Sequence, residues 1–104
     1  MPGTSIHYAN DRKERYSFIH EKIGVGVVTD TFIIDRGHTN GAEIHSVTDN
    51  AIILIHNAKT KSLITELIAR PEQLRRLYKT AGRKPPRKLL ELAYKHNVEK
   101  YNII

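Results

Sequence analysis

Apolar positions along this chain change their period several times, and each change marks a new element. Between Ile6 and Ile23 the residues Ala9, Tyr16, Phe18, Ile19 and Ile23 fall at loose three- and four-residue intervals among charged side chains, which predicts a helix from about Tyr8 to Lys22. The segment "IGVGVVTDTFIID" is rich in β-branched residues and reads as a strand, with Gly24 and Gly26 placed for a kink or bulge at its opening. The loop "RGHTNG" leads to "AEIHSVT" and "AIILIHN", joined at Asp49 and Asn50, whose side chains bond nearby backbone and tolerate positive φ. After "NAKTK" a fourth strand, "SLITELIAR", completes an antiparallel meander. "AIILIHN" is nearly continuous in apolar residues, as expected of a central strand covered on both faces.

Pro71 ends the fourth strand and suits the first turn of a helix, with Glu72 favourably placed near its N-terminus. That helix, "PEQLRRLYKTAG", carries Leu74, Leu77 and Tyr78 at core-facing spacing and stops at Gly82. Beyond "RKPP" the last helix, "RKLLELAYKHNVEKY", shows an apolar stripe of Leu89, Leu90, Leu92 and Ala93. Grouped strands flanked by helices argue for an α+β fold: an N-terminal helix, a four-stranded antiparallel sheet and two C-terminal helices. A single domain over residues 1–104 suits the length, and there are no internal repeats.

Charge divides the chain unevenly. Residues 1–57 hold five basic and seven acidic side chains, residues 58–104 twelve and four, so the second half, at +8, carries more than the whole net +6. Such a half suits a polyanion such as RNA or DNA, or an acidic protein. "RRLYKTAGRKPPRK" concentrates Arg75, Arg76, Lys79, Arg83, Lys84, Arg87 and Lys88, a density that fits phosphate tracking, with Tyr78 among them for stacking or for the core. There are no cysteines, which excludes disulfides and thiolate metal sites, and no apolar run approaches the roughly 20 residues that span a bilayer. A soluble, intracellular protein without cofactor is expected.

Alternation in "AEIHSVT" puts Glu43, His45 and Val47 on one face, so the carboxylate adjoins the imidazole and can orient it. A histidine and a glutamate so placed can serve as acid and base in RNA cleavage; the same pattern also describes a solvated face of an edge strand. His38 lies in a Gly-flanked loop where backbone can approach a ligand. His56 reads as a polar strand end, and His7, His20 and His96 are scattered. The interval from His38 to His45 matches no zinc pattern, and no metal site is expected. Arg70 ends a strand directly before a helix N-terminus, a combination able to hold phosphate.

From the Gly-His loop through "GAEIH", the apolar strand ending in Asn, and "LITELIARPEQ", the chain resembles small phage and prophage proteins of Gram-positive bacteria. These are RelE-like domains of the barnase, EndoU, colicin and RelE-like ribonuclease assemblage. The resemblance covers roughly residues 35–78 and implies metal-independent, toxin-like RNA cleavage in the cytoplasm of a bacterial host. Carried onto matching positions, it implies site roles for Glu43, His45, Thr65 and Arg70, with Gln73 beside them and His38 in the Gly-His element. Thr65 would position substrate, although on an ideal strand it points away from Arg70. The competing expectation is a non-catalytic protein that binds nucleic acid or an acidic host protein through its basic half.

Overall fold

The computed structural model describes residues 12–37, 39 and 41–101. His38 and the start of the expected first helix lie outside the described residues. Helix α1 spans residues 12–23, and its last stretch, Phe18–Ile23, is a π-helix. It closes where the Gly24 N–H reaches back to the Ile19 carbonyl at 2.6 Å, with Gly24 at φ +85°. Four strands follow: β1 (Val28–Ile34), β2 (Glu43–Thr48), β3 (Ile52–Asn57) and β4 (Leu63–Ile68). They pair antiparallel in chain order, and helices α2 (Pro71–Lys79) and α3 (Arg87–Tyr101) complete the α+β fold.

The sheet is covered on both faces, and the pleat of β3 shows how. Ile53 and Ile55 join Phe32, Val47, Leu74, Leu77, Tyr78, Leu89 and Ala93 beneath α2 and α3. Their neighbours Ile52 and Leu54 face the other way and pack with Ile19, Phe18, Ile23 and Ile68 beneath α1. The apolar run of "AIILIHN" is thus explained by burial on both sides. β2, which the sequence left open to reading as an edge, is an interior strand between β1 and β3.

The glycines before β1 act differently from their sequence reading. The irregularity lies between Val28 and Asp30, inside the strand, while Gly26 sits outside it at φ +86°. A Cβ there would lie 2.6 Å from Asp49 Oδ1 and 2.9 Å from Asn50 Cβ, so Gly26 lets the connector from α1 lie against the β2–β3 turn.

That turn gathers the hydrogen bonds joining both layers. Thr48 Oγ1 donates to the Val25 carbonyl at 2.6 Å and accepts the Asn50 and Ile52 amides. Asn50 Nδ2 donates to the carbonyls of Ile23 and Gly24 at 2.9 and 2.8 Å. With its amide nitrogen so committed, Asn50 turns Oδ1 to His96 Nε2 on α3, 3.1 Å away, and the imidazole must carry its proton on Nε2. Positive φ falls on the buried Ala51, at 60°, and not on Asn50.

His96 is buried, and its Nδ1 has no partner among the described residues. Loss of solvation lowers its pKa below the ordinary 6.5, against a smaller opposing pull from Glu99. The unfolded chain therefore binds a proton at His96 more readily than the folded one. His96 contributes full stability above about pH 6.5, lost progressively as pH falls through the lowered folded value.

Two outcomes follow for folding. Asn50→Ala removes three hydrogen bonds and strands their partners, and should cost about 2–4 kcal/mol in chemical denaturation. His96→Gln keeps a donor for Asn50 but cannot titrate. Its unfolding free energy should fall less steeply than the wild type's below about pH 6.5, and an equal slope would clear His96 of that role.

Candidate functional site

Helix α2 seats Leu74, Leu77 and Tyr78 on the sheet and leaves an open cleft of about 540 Å³ beside it. Ile34, His45, Ile53 and Leu67 form its floor. Arg70, Gln73, Arg76 and Thr80 line it from α2 and the residues that cap its two ends, Asn97 and Tyr101 from α3, Arg36 from the β1–β2 loop, and Arg15 from α1. Glu72 is the one carboxylate among these lining residues, set against four arginines.

Alternation on β2 brings His45 and Glu43 to this face, opposite Phe32 and Ile34 of β1. His45 Nε2 stands 3.1 Å from Glu43 Oε1, with the imidazole 8% exposed and the carboxylate 33% exposed. The expected neighbours are therefore bonded, but the histidine is buried at the cleft floor rather than solvated. Glu43 stands behind it and does not line the cleft itself.

Arg70 enters because β4 ends at Ile68. At φ −98°, ψ 149° it forms the N-cap of α2, and its backbone N–H is accepted by Gln73 Oε1 at 3.3 Å. Past the strand end the alternation that would separate Arg70 from Thr65 no longer governs, so Arg70 and Leu67 line the same cleft. The first helical amides of α2 open beside Arg70, adding a partial positive charge. None of Arg36, Arg70 and Arg76 forms an ion pair with a described residue.

Thr65 is occupied elsewhere. Its hydroxyl accepts Arg15 Nη2 at 3.1 Å and the Tyr16 hydroxyl at 3.0 Å, while Arg15 Nε donates to the Glu66 carbonyl at 2.9 Å. Thr65 thus holds Arg15 at the cleft from across the β4 edge. Arg15, Arg36, Asn97 and Tyr101 were not singled out by spacing, because each arrives from an element distant in sequence.

The basic cluster divides. Only Arg76 faces the cleft. Arg75, Lys79, Arg83 and Lys84 border a separate cavity on the other flank of α2, and Arg87 pairs with Glu91 on the exposed surface of α3. Lys88 lines neither cavity. Tyr78 is fully buried and cannot stack on a base; it donates to Asp30 Oδ2 at 2.5 Å and packs edge-on against Phe32. Burial, and then the Asp30 carboxylate, push the Tyr78 hydroxyl pKa up, while that hydrogen bond holds Asp30 below its ordinary value. Arg83 also bonds Asp30, at 3.0 Å, and lies over the Tyr78 ring. Part of the basic cluster therefore locks the α2–α3 turn to β1.

Among the described residues no group of three or more histidines and carboxylates is close enough to hold a metal ion, and no helix is long and apolar enough to cross a membrane. Comparison with protein-family models, curated proteins and solved structures finds no match to the chain.

Because His45 is buried and bonded, His45→Ala should lower stability by about 1–3 kcal/mol, readable in denaturant midpoints. A variant as stable as the wild type would place the imidazole in solvent instead.

Proposed function

We propose that this protein is an RNA-cleaving phosphodiesterase that works without a metal ion, with the arginine cleft as its site. One observation carries the reading: three guanidinium groups without carboxylate partners among the described residues converge, beside a helix N-terminus, on a cleft whose floor holds a histidine oriented by a glutamate. Unpaired arginines are costly to gather unless an anion joins them, and their planar forks suit phosphate oxygens.

The chemistry follows from these groups. The His45–Glu43 pair takes the proton from a ribose 2′-hydroxyl as that oxygen attacks phosphorus. The bond from phosphorus to the 5′-oxygen breaks, and the pair returns the proton to that leaving oxygen. The products are a 2′,3′-cyclic phosphate and a free 5′-hydroxyl, so atoms and protons balance. Arg70 and Arg76 hold the charge that builds on the phosphoryl oxygens, and Thr65 keeps Arg15 aimed at them.

The test is cleavage of bacterial RNA by purified protein in the presence of a chelator. Wild type should yield cyclic-phosphate ends. His45→Gln should lose at least about 10²-fold in rate while remaining folded, and Arg70→Ala should lose kcat/KM on a similar scale. Cleavage undiminished in His45→Gln, or none by the wild type, defeats the catalytic reading.

A further inference from the structure

At 100° per residue, positions 73, 76 and 80 of α2 and its C-cap turn to one flank, toward His45, while 75 and 79 turn to the other. On that second flank lies a cavity of about 570 Å³, lined by Arg75, Lys79, Arg83 and Lys84 with Gly82, Pro85 and Leu90. Its described lining residues include no carboxylate. Arg83 is already matched by Asp30, but the side chains of Arg75, Lys79 and Lys84 form no hydrogen bond or ion pair with a described residue. The cavity therefore offers an apolar patch from Pro85 and Leu90 ringed by three uncompensated cations.

The two cavities are not isolated. Arg75 and Arg76 are consecutive, one facing each, and Lys79 lies one turn on from Arg75. The outer surface of α2 thus carries Arg75, Arg76 and Lys79 from one flank to the other, with Glu72 in the first turn as the one acidic side chain of the helix. Single-stranded nucleic acid needs such a combination, a positive track for its backbone and apolar surface against which a base can lie.

We propose that this cavity is a second nucleotide subsite, which receives a further part of the RNA strand whose scissile phosphate lies in the His45 cleft. The inference rests on the reading of that cleft as an RNA site, and it names the substrate class: a single-stranded polynucleotide that wraps α2, rather than a mononucleotide or dinucleotide. Arg75, Lys79 and Lys84 take phosphates, and Pro85 with Leu90 takes a base. An acidic protein segment would also meet the cations, but it has less use for the apolar patch.

The experiment compares binding of a labelled 2′-O-methyl oligoribonucleotide, which lacks the attacking hydroxyl, with binding of the matching dinucleotide. The doubly substituted Lys79→Ala, Lys84→Ala chain should bind the oligonucleotide about tenfold more weakly, with a salt slope smaller by about 1.4 for two lost phosphate contacts. Its dinucleotide affinity should match the wild type's, whereas Arg70→Ala should weaken both. Should the double variant melt early, Lys84→Glu, in the exposed turn, carries the same expectation alone. Oligonucleotide affinity unchanged in these variants but lost in Arg70→Ala overturns the second subsite and leaves the cleft reading standing. Oligonucleotide binding with no cleavage by the wild type on ordinary RNA defeats the catalytic reading and leaves the subsite intact. No oligonucleotide binding by the wild type overturns both. Polyglutamate bound with Lys79 and Lys84 dependence, in place of the oligonucleotide, assigns the cavity to a protein partner and overturns the proposal.

Discussion

Asn50 is the point at which the two sides of this fold are made to agree. Its side chain donates to the last carbonyls of the π-helical end of α1 and accepts from His96 of α3, while lying in the turn that joins the two central strands. One amide therefore sets the distance between the helical layers on opposite faces of the sheet. Its requirements explain its neighbours: Gly26 for clearance, Thr48 to hold the Val25 carbonyl, and an imidazole protonated on the nitrogen that faces Asn50. The unpartnered, buried Nδ1 of His96 is what this arrangement leaves behind. Next to it, Asn97 Nδ2 bonds the Ala69 carbonyl just after β4, so α3 is tied to the open end of the β3–β4 hairpin, where the start of β3 and the end of β4 lie side by side.

The cleft is a consequence of that anchoring. With α3 held through His96 and Asn97, and α2 short and committed through Leu74, Leu77 and Tyr78, the two helices cover one part of the sheet face and leave a cleft above the buried His45. The Tyr78–Asp30–Arg83 cluster fixes the other end of α2, locking its C-terminal turn to β1. Packed elements thus set where Arg70 and Arg76 enter the cleft.

Much of this was legible in the sequence. Strand and helix order followed from period, and the apolar run of β3 announced its double burial. Glu43 and His45 share a face simply because a strand alternates. What escaped was whatever depends on long-range placement. Whether β2 is central or at an edge is a matter of strand order, which alternation does not encode. Arg15 reaches the cleft only because α1 crosses the β4 edge, and Thr65, matched by resemblance to a substrate-positioning role, turns out to hold Arg15. The basic run in residues 75–88 was visible as charge, but its division between two flanks, and the use of Arg83 in a structural ion pair, arise from the helical turn and from Asp30, some fifty residues away.

Among the described residues two histidine–glutamate pairs involve this sheet, and they differ in which partner is buried. His20 reaches both oxygens of Glu66 at 2.7 and 2.9 Å, with the carboxylate buried and the imidazole about half exposed on α1. There the histidine answers a buried carboxylate and ties α1 down, a structural duty. At His45 the relation is reversed: the imidazole is the buried member, and the more exposed carboxylate stands behind it. In the cross-strand row Phe32, His45, Ile55 an aliphatic side chain would satisfy packing without a polar partner. The row continues to Thr65 on β4, so it departs from its apolar rule twice, and only at His45, on the floor of the arginine-lined cleft, is the departure a titratable group; such local departures concentrate at functional sites.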